Sequence, residues 1–232
     1  MTIRLLTITY SQSFSQIFAI VERMRQRKNY VVPKYIYVMW FTLILAFGLG
    51  IFRQEWSTVF VSLMTLGISQ YAISLTRRTN IRVPASFLTA TILFVYATLF
   101  LGEVGDFYER FWWWDVVLHA GSAIGFGLIG AVTLILLFRQ GKVQASPILV
   151  SVFVFSFALA VGAVWEIFEF GMDQLFGLSM QKSGLVDTMA DLIVDSIGGL
   201  LAAAASYAYL TKGRKTTFTA VLDEAIEENQ NT

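Results

Sequence analysis

The sequence predicts an all-α polytopic membrane protein with six transmembrane helices. Three observations carry that reading. Of 232 residues, 56% are hydrophobic and only 14% are charged, with a mean hydropathy of +0.64, where a soluble domain carries about 25% charged residues. Six apolar stretches each approach the roughly 20 residues that a bilayer demands of a helix. Basic residues also alternate from one connection to the next: fourteen Lys and Arg fall on one side of a six-span topology and three on the other. Since Lys and Arg are retained in the cytoplasm, both termini are expected there.

Residues 1–36 are polar and basic. Phe14, Ile17, Phe18, Val21 and Met24 recur at helical spacing, followed by Arg23, Arg25, Arg27 and Lys28. This pattern predicts an amphipathic helix lying on the membrane face. Residues 1–20 lack the basic, apolar, small-residue order of a cleavable signal, so none is expected. The spans are read at 37–53, 57–76, 84–102, 114–138, 147–174 and 186–210, together a domain over 37–210. Arg53 to Glu55 forms a polar turn. Pro84 and Pro147 suit the first turn of a helix, where the missing N–H costs nothing. Gly177 and Gly184 mark the turn between the last two spans. Tyr108 and Trp112 to Trp114 read as a headgroup-level aromatic belt. Gly121, Gly125 and Gly130 in span four, with Gly198, Gly199 and Ala202 to Ala205 in span six, predict close helix packing. Residues 211–232 form a polar cytoplasmic tail, read as a solvated helix or disorder.

The chemistry gathers in the last three spans. Glu166, Glu169 and Asp173 lie near the end of span five, and Asp187, Asp191 and Asp195 open span six at four-residue spacing. At about 100° per residue each set keeps to one helical face. Asp115 and His119 stand i,i+4 on span four. The topology puts all of them in the same, extracytoplasmic, half of the membrane. Intramembrane acids are costly and usually functional, and buried charges are paired or bind metals. Arg110 and Lys182 are the only bases nearby on that side, too few to neutralise the set. A divalent cation site is therefore expected, with one or two ions held by Asp115, His119, Glu166, Glu169, Asp187, Asp191 and Asp195. Asp195 and His119 are the candidates for catalytic work, Asp195 as ligand or general base. Asp173 and Asp187 also suit capping of a turn or helix. Gln181, Thr188 and Ser122 can add neutral oxygens. Without cysteine, and with one histidine, the ligands are mostly oxygen, which suits Mg, Mn, Ca or Fe(II). A net charge of +1 argues against nucleic acid as a partner.

With Asp115-x-x-x-His119, Glu166-x-x-Glu169, Gln181 and Asp187-x-x-x-Asp191 in this order, the chain resembles the YjdF-type bacterial inner-membrane family, a polytopic domain of unknown function. The resemblance covers roughly residues 37–210 and is best over 110–200. It implies a multi-pass location in a bacterial inner membrane, and that these acids and the histidine belong to one shared site.

Three functions are compatible with this pattern. The first is a metal-dependent membrane-embedded hydrolase or transferase acting on a lipid-linked or phosphate-bearing substrate. The second is a divalent-cation or proton-coupled transporter, for which the acid-poor cytoplasmic halves of the spans are unfavourable. The third is an accessory membrane subunit with a structural ion. Membrane lipid is the expected partner, and a second copy of the chain or another membrane subunit stays open.

Overall fold

A computed structural model describes residues 32–78, 83–177, 179–213 and 217–230. The amphipathic helix expected in residues 1–36 falls outside these, apart from its last few residues. Among the described residues every regular element is helical. Six helices are long and apolar enough to cross a membrane, matching the six expected spans within a few residues at each end.

Helix α1 (Lys34–Arg53) starts after Pro33, and Gln54 closes it in the left-handed region at φ 61. The N–H of Glu55 donates to Gly50 O at 2.9 Å, which tightens the turn into α2 (Trp56–Arg78). The two form a hairpin joined by a hydrogen bond from Trp40 Nε1 to Ser69 Oγ at 3.1 Å. Helix α3 (Ala85–Val104) starts after Pro84 and changes winding part-way: Tyr96–Val104 is π-helical. The Thr42 and Tyr96 hydroxyls, 2.8 Å apart, tie α1 to this wider segment. A single-turn helix α4 (Phe107–Arg110) leads into α5 (Trp114–Arg139). Helix α6 (Pro147–Phe176) carries proline at its first position, and Ser146 Oγ accepts from Leu149 N at 3.4 Å. Helix α7 (Leu185–Lys212) follows a short loop, and α8 (Thr217–Gln230) comes last.

Helices α5, α6 and α7 pack against one another in a three-helix unit. One end of that unit is an apolar core of Leu128, Ala131 and Ile135 from α5, Val150 and Val154 from α6, and Ala202 and Ala203 from α7. Small residues bring the backbones together there, as expected for membrane helices. A Cβ on Gly127 would stand 2.5 Å from Ala202 Cβ, and one on Gly198 2.8 Å from Ala123 Cβ. The glycines expected at this interface are right in part. Gly130, Gly198 and Gly199 face neighbouring helices, whereas Gly121 and Gly125 face open space, and Gly127 does their work.

The tail over 211–232 needs a larger correction. Its helix α8 is not simply solvated: Leu222 and Ile226 are fully buried in the same apolar core. Leu222, Ala225 and Ile226 fall three and four residues apart, on one face of a short polar helix. Ser86 Oγ donates to Glu224 Oε2 at 3.1 Å, and Tyr209 Oη donates to Asp223 Oδ1 at 2.5 Å.

Candidate metal centre

The opposite end of α5, α6 and α7 is polar. At about 1.5 Å per residue, His119 lies roughly 8 Å below the start of α5. Glu166 lies about 15 Å below the end of α6, and Asp191 about 9 Å below the start of α7. Helix α6 reaches further than its neighbours at this end, and the ligand atoms of the three residues lie within 4.8 Å of one another, in one layer.

His119 is the hub. Its Nδ1 stands 3.3 Å from Asp195 Oδ1 and 3.4 Å from Oδ2, with both residues buried. A carboxylate only accepts, so a proton sits on Nδ1, and Nε2 is the nitrogen left to meet another group. Nε2 faces three further carboxylates: Asp115 Oδ1 at 3.9 Å, Asp191 Oδ2 at 3.9 Å and Glu166 Oε1 at 4.0 Å. None is close enough for a hydrogen bond. Glu166 is 4% exposed, and neither of its oxygens has a hydrogen bond of normal length and angle. The Thr188 hydroxyl interacts with it from outside those limits.

Two sets of three ligand atoms lie within 4.8 Å of one another: His119, Glu166 and Asp191, all buried, and Asp115, Asp187 and Asp191, of which the first two are half-buried. Two ligands on one ion with bonds of about 2.1 Å sit roughly 3.0–3.4 Å apart. The spacings around Nε2 therefore need to close by less than about 1 Å. An acceptor-only set around an orphaned buried carboxylate fits a hard divalent cation.

The other acids do different jobs. Glu169 belongs to neither set; its Oε1 accepts from Trp165 Nε1 at 2.8 Å. Asp173 staples the α6–α7 loop, accepting from Met180 N at 2.7 Å and Gln181 N at 2.9 Å. Asp187 reaches the second set while also accepting from Lys182 N at 3.1 Å. Gln181 Nε2 donates to Thr188 Oγ1 at 2.5 Å, and Ser122 Oγ donates to His119 O at 2.8 Å. Gly177 and Gly184 both take left-handed φ, 66 and 65, where a side chain would be strained. They let this loop fold over the polar end.

Of the two bases expected nearby, one is present. Lys182 Nζ is 3.9 Å from Asp115 Oδ2, whereas Arg110 pairs with Asp106 at 3.2 Å on the surface.

Residues 34–212 match the family described as "Predicted membrane protein (DUF2238)". The chain belongs to the DUF2238 family. The matched stretch runs from the first residue of α1 to the last of α7, so it holds every residue of the candidate centre and leaves α8 outside. A curated relative of this DUF2238 chain is an uncharacterized protein of Thermotoga maritima, 28% identical over 137 residues. The alignment covers 57% of this chain and 66% of the relative, just under two thirds of that protein's length. No solved structure matches.

Two residues of this DUF2238 chain act at the centre in ways the sequence concealed. A Cβ on Gly162 would overlap the Asp195 carboxylate, so α6 carries glycine where Asp195 needs room. Tyr108, expected in the aromatic belt, packs its ring on Gly102 of the π-helical segment, where a Cβ would meet it. Burial, then the nearby carboxylates of Asp115, Glu103, Glu169 and Asp191, push the Tyr108 phenol up, so it stays protonated. The tryptophans divide: Trp112 is exposed as a belt residue should be, while Trp114 packs edge-on against Phe107 with its indole N–H buried and unpaired. A glycine one helix away from an acid, or a tyrosine eleven residues before the histidine, carries no periodicity to signal its place.

Proposed function

We propose that this DUF2238 protein is a membrane-embedded, divalent-metal-dependent enzyme, a hydrolase or transferase acting on a lipid-linked or phosphate-bearing substrate. The supporting observation is the buried Glu166 carboxylate, which has no hydrogen bond of normal length and angle and faces His119 Nε2 across 4.0 Å. His119, Glu166 and Asp191 would hold the cation. Such an ion supplies Lewis-acid polarisation of a phosphoryl oxygen and an activated water.

The chain's own residues complete the assignment. Asp195 orients the imidazole and fixes its tautomer, the usual partner of a ligating histidine. At 1% exposure and with both oxygens against Nδ1, it suits that task better than removal of a proton from water. Lys182 and the protonated Tyr108 phenol stand on the mouth side, where an anionic group would meet a cation and a hydrogen-bond donor. Ile167, Phe170 and Val186 are exposed around this end of the helices, which suits approach from a lipid phase. Glu169, held by Trp165, stays outside the ligand set.

The fourteen-to-three distribution of basic residues supports placing the centre toward the extracytoplasmic face. The YjdF-type resemblance supports a bacterial inner membrane. Transport is the weaker reading: beyond the centre, α5, α6 and α7 carry no acid among the described residues to pass a proton or ion onward.

The test is to load the purified protein with Mn²⁺ in vesicles containing phosphatidic acid or a polyprenyl diphosphate and to measure phosphate release. Release abolished by His119→Ala and Asp191→Asn supports the enzyme. Uptake of Mn²⁺ by proteoliposomes without any release overturns it in favour of transport.

A further inference from the structure

We propose that the centre takes two divalent cations rather than one, sharing the Asp191 carboxylate, and that Lys182 stands in for the second when it is absent. This rests on the metal reading above and deepens it. The inner position is His119, Glu166 and Asp191; the outer is Asp115, Asp187 and Asp191. Asp191 belongs to both sets and has two oxygens, the arrangement by which a carboxylate bridges ions about 3.5–4 Å apart.

Charge supports two ions. The four ligand carboxylates, Asp115, Glu166, Asp187 and Asp191, balance two divalent cations; a single one leaves two negative charges among mostly buried groups, beside that of Asp195 against His119. Arg110 is committed to Asp106, so Lys182 is the basic side chain that reaches this group among the described residues. Two buried side chains point to ligands that are not protein groups. Neither Glu166 oxygen has a hydrogen bond of normal length and angle. Asp191 is 4% exposed, and the contact found for its carboxylate is His119 Nε2 at 3.9 Å, beyond hydrogen-bond distance.

The two positions differ in access. All inner ligands are buried, while Asp115 and Asp187 are half-buried and open toward the loop. Lys182 Nζ donates to Tyr108 O at 3.0 Å, lies 4.7 Å from the centre of the Tyr108 ring and is 3.9 Å from Asp115 Oδ2. From that perch its ammonium neutralises Asp115 and would be displaced by an outer cation, which frees it to meet an anionic substrate. Imidazole and carboxylate together suit Mn²⁺ at the inner position, and an all-carboxylate outer position suits Mn²⁺ or Mg²⁺.

The experiment titrates the chelator-stripped, purified full-length chain with Mn²⁺ alone. The expected result is two Mn²⁺ per chain, with the exchange-coupled electron paramagnetic resonance spectrum of a bridged pair. Asp115→Asn and Asp187→Asn should each lose the second equivalent, while Asp115→Glu keeps it. Lys182→Gln should tighten the second equivalent at least about fivefold by removing a competing cation. Thermal melting of each variant confirms that it is folded. One uncoupled Mn²⁺, lost in Glu166→Gln and indifferent to Asp115→Asn, overturns the outer position and spares the single-ion reading. Two equivalents without coupling overturn the sharing of Asp191. No Mn²⁺ bound above background overturns both readings.

Discussion

Replacing Glu166 by glutamine should change the sign of its effect with the metal present or absent. The carboxylate is 4% exposed and has no hydrogen bond of normal length and angle, and an Asp191 oxygen lies within 4.8 Å of one of its own. Two like charges at that distance repel by about 3.5 kcal/mol at an effective dielectric near 20. Relaxation of the site leaves roughly 1–3 kcal/mol of recoverable cost, as for a buried unsatisfied polar group. Glu166→Gln keeps the shape and removes the charge, so without a cation it should be the more stable protein by about that amount. With a divalent ion at a hundredfold over its dissociation constant, the wild type gains about 2.7 kcal/mol by linkage, which a variant lacking a ligand largely forgoes. At about 2–4 °C per kcal/mol for a chain of this size, the variant should melt about 2–12 °C above wild type in chelator. Mn²⁺ should raise the wild type by roughly 5–10 °C and the variant by less than half of that. The six tryptophans supply the fluorescence signal for the melt. If Glu166→Gln melts below wild type in chelator, or both gain equally from Mn²⁺, the carboxylate is not waiting for a cation.

Four further outcomes are expected. Gly162→Ala places a methyl group on the Asp195 carboxylate; it should cost about 1–3 kcal/mol as an overpacked site and weaken Mn²⁺ binding about tenfold, read by melting and by titration. Gly127→Ala, whose Cβ would stand 2.5 Å from Ala202 Cβ, should cost a similar amount without touching Mn²⁺ affinity, and Ala202→Gly in the same chain should restore the melting temperature. Leu222→Ala or Ile226→Ala should each cost about 2–5 kcal/mol as cavities in the core, and a tail free in solvent would show no change. Because the chain has no cysteine, Ser183→Cys and Gln144→Cys each carry one thiol: a membrane-impermeant maleimide should label the first in intact cells and the second only after permeabilisation, and the reverse would invert the topology.

The sequence carried the six spans because their signal is a mean over about twenty residues, which local detail scarcely moves. It carried the convergence of Asp115, His119, Glu166 and Asp191 because spacings of three, four and seven put side chains on one helical face. It could not separate the roles of the acids. Asp173 and Glu169 sit at the same spacing as Glu166, yet the first is claimed by loop N–H groups and the second by Trp165. Which partner wins is decided by neighbours distant in sequence. The docking of α8 was hidden for a related reason: Leu222, Ala225 and Ile226 are three apolar residues among acids, too few to outweigh the average. The π-helical winding of Tyr96–Val104 lies inside an apolar run whose composition is the same for either helix.

The close seam between α5 and α7 bears on which ion the centre accepts. Gly127 meets the Ala202 methyl, and Gly198 meets the Ala123 methyl and the Ala120 backbone, so the separation of these two helices is set by main-chain atoms and methyl groups that cannot swing aside. His119 on α5 and Asp191 on α7 hang from that fixed frame one to three turns away. A cage mounted so stiffly would discriminate by radius: the oxygens stand 3.9–4.0 Å from Nε2, so an ion with bonds of about 2.0–2.2 Å would need them drawn inward, whereas calcium, at about 2.3–2.6 Å, would need less closure but more oxygens in place of the imidazole.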